Sequence, residues 1–511
     1  MQIRNQRSLR IAGLVTVLGI SLPGLPEAGQ GAGSTLETST RQSVRKVSGE
    51  LVEAVKSQSY DRLRVLLEET VDVDDVQGDG TTALHWAVHR NDLQALDLLL
   101  EAGADVNAAN TLGATPIWLA SINGDRSVVS RLLKGGANPN TSLLMGETPL
   151  MSAARSGGID TVNLLLRWGA DVDLAEYERG QTALMWAAAQ GHVDVVLALV
   201  AGGADLHART RVWYQLENTA GNTNPIGNFR MAHGGSTALL FAARNGDVAT
   251  ARSLIEAGAN VDDVSASGTS ALVISAHSGH ESLALYLVNQ GADLNANLAG
   301  YTALHAAVLR GQSPLVRALL ANGADIEAVV QKGTPGRRFS ADFSIRHQAV
   351  GANAFWLAAK YGELGILEML LQGGADPFVR PVSGVSSLQA AMGRSAIPQE
   401  NRRNRVGVPR PDRGLHEDLV LRLAEVVLDL GVDVNAVDQR GDTALHDAVR
   451  NGWESVVKLL AVRGADLGAR NERDQTALAL AETLQPVPGT NGLRTTRPKI
   501  AEILRGFGAE N

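Results

Sequence analysis

The residues that could support chemistry in this chain are its eleven histidines and its clusters of carboxylates, since none of its 511 residues is cysteine. The lack of cysteine excludes disulfides, thiolate metal sites and cysteine nucleophiles. The histidines show no metal-ligand spacing, and the sequence contains no H-E-x-x-H, G-x-S-x-G or P-loop motif. Gly78-Asp79-Gly80 lies beside three aspartates but lacks the alternating ligands and the final glutamate of a calcium loop. We therefore expect no catalytic residues, no cofactor and no bound metal, and an undetected hydrolase is the least favoured hypothesis.

Basic residues recur at one place in a repeated pattern, seven or eight residues after most of the Thr-Ala-Leu-like starts. The row comprises His89, Arg90, Arg155, Arg244, His277, Arg310, Lys360, Tyr361 and Arg450. Two interpretations are open, because cations stabilise a helix C-terminus and because a partner could contact such a row. Asp and Glu are absent from the row although the chain has a formal net charge of −8. This absence favours binding.

The element that must position this row is a sequence repeat of nearly constant length. Starts of the Thr-Ala-Leu type occur at Thr82, Thr115, Thr148, Thr182, Thr237, Ser270, Thr302, Thr443 and Thr476, with degenerate copies at Asn353 and Ser386. The intervals after Thr182, Thr302 and Ser386 are much longer than the others and so contain insertions. A Gly-Ala-Asp or Gly-Ala-Asn triplet follows most starts at a constant distance, as Gly103 follows Thr82. This second signal fixes the register.

The pattern of each repeat predicts two helices joined by a turn. A hydroxyl at the start can cap a first helix, and a glycine nine residues later, such as Gly124, allows a left-handed turn. The apolar stripe that follows, for example Leu96 and Leu99, predicts a second helix. One such pair cannot bury its own apolar face, so the pairs must stack.

These motifs resemble the ankyrin repeat, whose period is about 33 residues and whose hallmark is T-P-L-H-x-A. The resemblance covers the chain from about Gly49 to Asn511. It implies an all-α repeat solenoid of about twelve helix-turn-helix repeats over residues 47–511. It also implies a concave groove lined by the ends of the first helices, and structural roles for His85, His305 and His446. Insertions are expected near 211–232, 331–349, 393–415 and 484–495.

The N-terminus has the order of a secretory signal peptide. Three arginines among the first ten residues precede the apolar run 11–22, which ends at Pro23. As a helix this run would rise only about 18 Å, too little for a bilayer core of about 30 Å. We predict a signal peptide over residues 1–30, cleaved between 28 and 33, then a linker over 31–46. The mature protein would be periplasmic or secreted. In this respect the chain is similar to exported bacterial ankyrin-repeat proteins, and membership of that group does not define the binding partner.

The first two insertions would extend the hairpin fingers that overhang the groove. They carry Trp213 and Tyr214, and Arg337 and Arg338, and exposed aromatics with arginine are typical of interface hot spots. Finger loops that pack on their own neighbours would have a similar composition. The insertion at 393–415 carries six arginines against two acids, which suits a solvated loop or a contact with an anion.

The sequence thus predicts a non-enzymatic, monomeric scaffold that binds one or more proteins through the groove and fingers, without nucleic acid and without a transmembrane anchor. The runner-up is an envelope protein attached to an anionic surface through its basic insertions. The predicted contact residues are Arg90, Arg155, Trp213, Tyr214, Arg244, Arg310, Arg337, Arg338, Lys360, Tyr361 and Arg450.

Overall fold

A computed structural model describes residues 49–69, 72–218, 228–334, 345–392, 413–486 and 494–510. These residues contain twelve pairs of helices, which agrees with the predicted number of repeats. The helices are α1 (49–56), α2 (Tyr60–Glu68), α3 (Ala83–His89), α4 (Leu93–Glu101), α5 (Pro116–Asn123), α6 (Arg126–Lys134), α7 (Pro149–Ser156), α8 (Ile159–Arg167), α9 (Ala183–Gln190), α10 (Val193–Ala201), α11 (Ala238–Asn245), α12 (Val248–Glu256), α13 (Ala271–Ser278), α14 (Glu281–Asn289), α15 (Ala303–Arg310), α16 (Ser313–Ala321), α17 (Ala354–Tyr361), α18 (Leu364–Gln372), α19 (Ser387–Met392), α20 (Arg413–Asp429), α21 (Ala444–Asn451), α22 (Glu454–Val462), α23 (Ala477–Glu482) and α24 (Pro498–Gly506).

The first helices begin where the sequence places a capping hydroxyl. Thr82 illustrates the arrangement, because its Oγ1 accepts a hydrogen bond from the backbone N–H of His85 while the Nδ1 of His85 accepts one from the N–H of Thr82. The Nε2 of His85 lies 2.9 Å from the carbonyl oxygen of Ala114 in the next repeat. The hallmark histidine therefore closes a capping box and joins two repeats, which confirms its structural role.

Most first helices end at a left-handed glycine, as predicted. Gly246 has a φ of +75° and Gly279 a φ of +86°. Such a residue reverses the chain at little steric cost and lets the second helix fold back.

The described residues divide into two compact units. The first comprises residues up to Arg211 together with Thr237–Ala242 and Ala249–Ala259. In it the first helices α3, α5, α7 and α9 pack side by side, and the second helices α2, α4, α6, α8 and α10 form a parallel layer. Apolar side chains between the layers, such as Leu96, Leu99 and Leu132, are fully buried.

The second unit comprises Val212–Ser236, Ala243–Val248 and the described residues from Asn260 onward. Its first helices α13, α15, α17, α19, α21 and α23 again pack one against the next. The large aromatic side chains of Phe355 and Trp356, both buried, lie in α17 of this unit.

Two insertions form antiparallel hairpins. Strands β1 (Trp213–Asn218) and β2 (Asn228–His233) pair with Trp213 opposite His233 and Tyr214 opposite Ala232. Strands β3 (Gln485–Pro486) and β4 (Arg494–Thr495) make a shorter pair.

The other two insertions are described in part. Residues 345–349 of the second include a 3-10 turn, His347–Ala349. Most of the insertion predicted near 393–415 lies outside the described residues, but Arg413 already belongs to α20, so residues 413–415 extend a helix of 17 residues rather than a loop. The apolar spacing of Val420, Leu423 and Val427, all buried, explains why this helix forms.

Candidate protein-binding site

In the first unit the predicted contact residues are exposed but not isolated. Arg90 ends α3 and is exposed. Arg155 is also exposed, and its guanidinium lies 2.9 Å from Glu147 and over the ring of Trp186, 4.6 Å from the ring centroid. Glu147, the acid that pairs with Arg155, precedes the repeat start Thr148. It therefore lies outside the row, which itself contains no Asp or Glu.

In the second unit, Arg244 and Arg310 bind neighbouring repeats through different atoms. Arg244 is exposed, and its carbonyl oxygen lies 2.9 Å from Nε2 of His280. Arg310 is half-buried, and its Nε donates to the carbonyl oxygen of His277 at 2.6 Å. Burial, together with the smaller effect of the charge of Arg310, lowers the pKa of His277 to about 4, so His277 is neutral near pH 7.

Lys360 and Tyr361 occupy the same place in the row but differ in exposure. The Tyr361 side chain is only 4% exposed, and burial raises its pKa to about 12. It belongs to the core, so it presents little surface to a partner. Lys360 is half-buried, with its Nζ 5.1 Å from the ring centroid of Trp356. Burial and the nearby charge of Arg346 lower the pKa of Lys360 to about 8.

Arg450 is engaged in a network within its own repeat. It forms ion pairs with Asp442 at 2.5 Å and with Asp447 at 3.1 Å. Asn471 of the next repeat donates a hydrogen bond to Asp442. Burial raises the pKa of Asp447 to about 7, although the charge of Arg450 opposes this shift. Arg450 therefore serves repeat packing, which limits what it could offer a partner.

The first finger presents the most exposed cluster of large side chains in the predicted site. Trp213 is 36% exposed and stacks on His233, with ring centroids 5.6 Å apart. Strand alternation places Tyr214 and Leu216 on the opposite face, where they are 65% and 64% exposed. The guanidinium of Arg230, cross-strand from Leu216, lies 5.8 Å from the ring centroid of Tyr214. We call these last three residues, Tyr214, Leu216 and Arg230, the hairpin face.

The second finger is firmly held at its base. Val330 pairs with the backbone of Gly351 and Ala352, and the N–H of Thr334 donates to the carbonyl oxygen of Ile345 at 2.8 Å. Arg346 follows the buried Ile345 and is exposed. Arg337 and Arg338, the two residues predicted for this finger, lie outside the described residues.

The sequence interpretation missed a set of exposed apolar residues at the fingertips of the first unit. Leu144, Met145 and Tyr177 are all more than half exposed. The tips are joined by backbone hydrogen bonds, from Leu144 N to Leu112 O at 3.1 Å and from Tyr177 N to Met145 O at 2.8 Å. Leu144 and Met145 come directly before the turn glycine Gly146 and do not belong to the apolar stripe of a helix. Two apolar residues in a turn are a sequence signal that could have identified them as exposed.

In the part of the chain that the structure describes, no cluster of three or more His, Asp or Glu side chains could hold a metal ion. No helix in that part is long and apolar enough to cross a membrane.

Family models of ankyrin repeats match most of the helical pairs. The model described as "Ankyrin repeats (3 copies)" matches residues 51–143, 92–176, 117–210, 222–298 and 239–330. The models "Ankyrin repeats (many copies)" and "Ankyrin repeat" match residues 427–481 and 350–380. The chain belongs to the ankyrin-repeat family. Ankyrin repeats indicate a scaffold for protein–protein interaction.

Several curated proteins align with part of this ankyrin-repeat chain. "Ankyrin repeat and SOCS box protein 16" of Mus musculus is 27% identical over 216 residues, which are 39% of this chain and 44% of that protein. "Ankyrin repeat and SAM domain-containing protein 6" of Danio rerio is 29% identical over 46% of this chain and 30% of its own length. "Neurogenic locus notch homolog protein 1" of Homo sapiens is 33% identical over 26% of this chain and 6% of its own length. The aligned part is thus less than half of each relative.

Proposed function

We propose that this ankyrin-repeat chain is a non-enzymatic scaffold of the periplasm or cell exterior that binds a partner protein through the ends of its first helices and its finger insertions. The observation that carries the proposal is the hairpin face. Its tyrosine and leucine are about two thirds exposed, with an arginine beside them. Large side chains of this kind, exposed together, mark interaction sites more often than inert surface.

The ionisable groups with strongly shifted pKa values do not point to catalysis. His305 belongs to a capping box, and Asp447 pairs with Arg450 inside a repeat. Each of these shifts has a structural cause, so none of them calls for a catalytic explanation.

The test is a pull-down with the mature chain from extract of the source cell envelope, followed by affinity measurement on the recovered partner with matched variants. Replacing Tyr214 and Leu216 by Ala should weaken binding by about 2 kcal/mol or more, the loss typical of aromatic anchors. The control replaces Phe507 and Val462 by Ala, which removes an aromatic side chain that is 45% exposed and an aliphatic one that is 71% exposed, at helix ends elsewhere in the second unit. Equal affinities for the hairpin and control variants would contradict the proposal.

A Trp213 variant tests the stability of the hairpin rather than partner contact, because the Trp213 ring stacks on His233 inside the finger. Trp213→Ala should loosen the hairpin itself, so its effect on binding should be accompanied by faster amide exchange in β1 and β2. Tyr214→Ala should weaken binding without that change.

The runner-up hypothesis has its own arm in this test. Deleting residues 402–412 removes most of the basic charge of the third insertion and stops before α20 begins. We expect this deletion to leave partner binding unchanged. If it abolished binding while the hairpin variants bound normally, attachment to an anionic envelope surface would replace the proposed function.

The proposed location rests on the basic, apolar and small-residue order of the segment from Met1 to Gly33. Mass spectrometry of the protein recovered from its source should find the N-terminus between residues 28 and 34. A mature chain that retained residues 11–22 would overturn the location without affecting the binding proposal.

A further inference from the structure

A ladder of hydrogen bonds joins the bases of successive fingers in the second unit. In each bond the backbone N–H of an aspartate in one finger donates to a side-chain oxygen of the finger before it. That oxygen belongs to the second residue after the aspartate or asparagine at the base of the preceding finger. The bonds run from Asp293 to Asp262 at 2.7 Å, from Asp325 to Asn295 at 2.7 Å, from Asp376 to Glu327 at 2.8 Å and from Asp466 to Asn435 at 2.7 Å. Each bond ties one repeat to the next.

Phe378 interrupts this ladder. It occupies the acceptor position, two residues after Asp376, but a phenylalanine side chain has no atom that accepts such a bond. Among the residues that the structure describes, no side chain of the preceding finger accepts from the N–H of Asp433, the next aspartate in the series. Both fingers, residues 374–384 and 431–441, lie wholly within the described part of the chain. We call the contact between them the Phe378 joint.

The Phe378 joint is also looser at its tip. The N–H of Gln439 lies 3.4 Å from the carbonyl oxygen of Ser383, whereas the corresponding bonds at the two neighbouring joints measure 2.8 Å and 2.9 Å. The glycines at the tips show the same difference. The position of a Cβ on Gly384 is 3.5 Å from the nearest atom of the next finger, against 3.3 Å for Gly351 and 3.1 Å for Gly441 at the joints on either side. The two fingers therefore stand farther apart than their neighbours do.

The second helices show the same pattern, while the first helices do not. Helices α16 and α18 pack together, and so do α20 and α22, but the backbones of α18 and α20 do not approach each other as closely along their described residues. The first helices of the same two repeats, α17 and α19, remain packed. The Phe378 joint is therefore weakened at the finger base, at the finger tip and between the second helices, and it is held chiefly by the first helices.

We propose that the Phe378 joint is a hinge, at which the repeats from Ser386 onward turn about the contact between α17 and α19. Stability in a repeat array is close to a sum over neighbouring interfaces, so motion concentrates at the weakest interface. A few residues at the ends of elements are enough to form a hinge. Turning there opens and closes the gap between the two fingers and between α18 and α20. The inference concerns the free chain and does not depend on the proposed function.

Spin labels can measure this motion at chosen positions, because the chain has no cysteine of its own. Gly365, Arg422 and Ser455 occupy the same place in α18, α20 and α22, and all three are exposed. The double substitution Gly365→Cys and Arg422→Cys puts one label on each side of the Phe378 joint. The control pair, Arg422→Cys and Ser455→Cys, spans the next joint, where the bond from Asp466 to Asn435 is present. Double electron–electron resonance on the purified chain gives the distribution of distances for each pair.

The distribution across the Phe378 joint should be about twofold broader than that of the control pair, since a hinge moves whole repeats rather than single side chains. Phe378→Asn should narrow it towards the control, because the new side-chain oxygen can accept from the N–H of Asp433, as Asn435 accepts from Asp466. Phe378→Leu, which removes the ring without supplying an acceptor, should leave the distribution broad. Phe378 is 56% exposed, so neither substitution should disturb folding.

Hydrogen exchange followed by mass spectrometry supplies a second readout. The amide of Asp433 should exchange about tenfold more slowly in Phe378→Asn, because a hydrogen bond then closes that N–H, and it should be unchanged in Phe378→Leu. The reverse substitution at the next joint, Asn435→Phe, should broaden the control pair and speed the exchange of the Asp466 amide.

Three results would overturn the hinge. Equal widths for the two label pairs would show that the Phe378 joint is no looser than its neighbour. A broad distribution that Phe378→Asn and Phe378→Leu change equally would show that the missing hydrogen bond does not control the joint. Narrowing on deletion of residues 402–412 would assign the motion to that insertion, which joins the end of α19 to the start of α20, rather than to the fingers.

Discussion

At the scale of the residue, His85 is a neutral cap, and its protonation state follows from two hydrogen bonds. Nδ1 of His85 accepts from the backbone N–H of Thr82, so its proton must be on Nε2, which donates to the carbonyl oxygen of Ala114. Protonation of Nδ1 would point an N–H at another N–H in a buried place. Burial accordingly lowers the pKa of His85, and it lowers that of His305 to about 4.

One repeat of the chain already shows a cap of this kind that does not titrate. In the repeat that starts at Ser386, Gln389 takes the place of the histidine. Its Oε1 accepts from the N–H of Ser386 at 3.0 Å, and its Nε2 donates to the carbonyl oxygen of Asp442. A glutamine can therefore fulfil both roles without gaining charge.

We predict that His305→Gln removes part of the pH dependence of stability. The pKa of His305 is about 4 when folded and near 6.5 when unfolded, so the unfolded chain binds more protons between these values. The stability that this histidine contributes is complete above pH 6.5 and falls as the pH drops towards 4, by at most about 3 kcal/mol. Urea unfolding of both proteins at pH 7 and at pH 5 should show a smaller loss for His305→Gln.

The outcome that would contradict this account is an equal loss of stability in both proteins over that pH range. His305→Gln should also be nearly as stable as the wild type at pH 7, because the capping bonds are kept. A large loss at pH 7 would show that the glutamine geometry of Gln389 does not transfer to this repeat.

At the scale of the element, two turn glycines allow the cost of backbone strain to be measured separately from the cost of a steric clash. Gly279 and Gly246 both have positive φ, but a Cβ on Gly279 would meet nothing closer than 3.8 Å. A Cβ on Gly246 would overlap the ring of His280, whose Cγ would lie only 2.5 Å away. The Nε2 of that ring is bonded to the carbonyl oxygen of Arg244, so the ring cannot move without losing a hydrogen bond.

We therefore predict that Gly279→Ala costs about 1 kcal/mol of stability, from left-handed strain alone. Gly246→Ala should cost about 1 kcal/mol more, because His280 must move and its hydrogen bond to Arg244 is lost. Denaturant unfolding of the two variants in parallel measures the difference. Equal costs would mean that the His280 contact contributes nothing to the turn.

The elements were predictable from the sequence because each depends on local spacing. A capping hydroxyl and a glycine nine residues later mark the two ends of the first helix. An interval between repeat starts that is longer than the usual period shows where a finger such as the β1–β2 hairpin is inserted. The environment of individual side chains was not predictable in this way. Tyr361 is buried although its place in the row predicts a contact residue. Arg450 pairs with Asp442 and Asp447, which lie outside the row. Such contacts depend on how the insertions and neighbouring repeats pack in three dimensions, and the spacing of the repeats in the sequence does not determine this packing.

At the scale of the whole molecule, most helices in the second unit pack mainly against their partner in the same repeat and against the corresponding helices of the two neighbouring repeats. Helix α21 contacts α19 on one side and α23 on the other, and α22 contacts α20 and α24. Specific bonds reinforce this order, because Asn451 donates to the carbonyl oxygen of Met392, and Asn471 donates to Asp442. Stability in such an array is close to a sum over neighbouring interfaces.

This organisation predicts the effect of removing one repeat. Deleting residues Arg440 to Asn471 takes out α21 and α22 and joins Gln439 to Glu472. The last pair, whose first helix α23 has only six residues, would then face α19 without the hydrogen bond that Asn451 donates to Met392. We expect α23 and α24 to fray and exchange their amide protons rapidly, while α3 to α10 keep the protection of the intact chain. Hydrogen exchange followed by mass spectrometry measures both regions in one experiment, and loss of protection throughout the chain would show that the repeats fold as one cooperative unit rather than by neighbouring contacts.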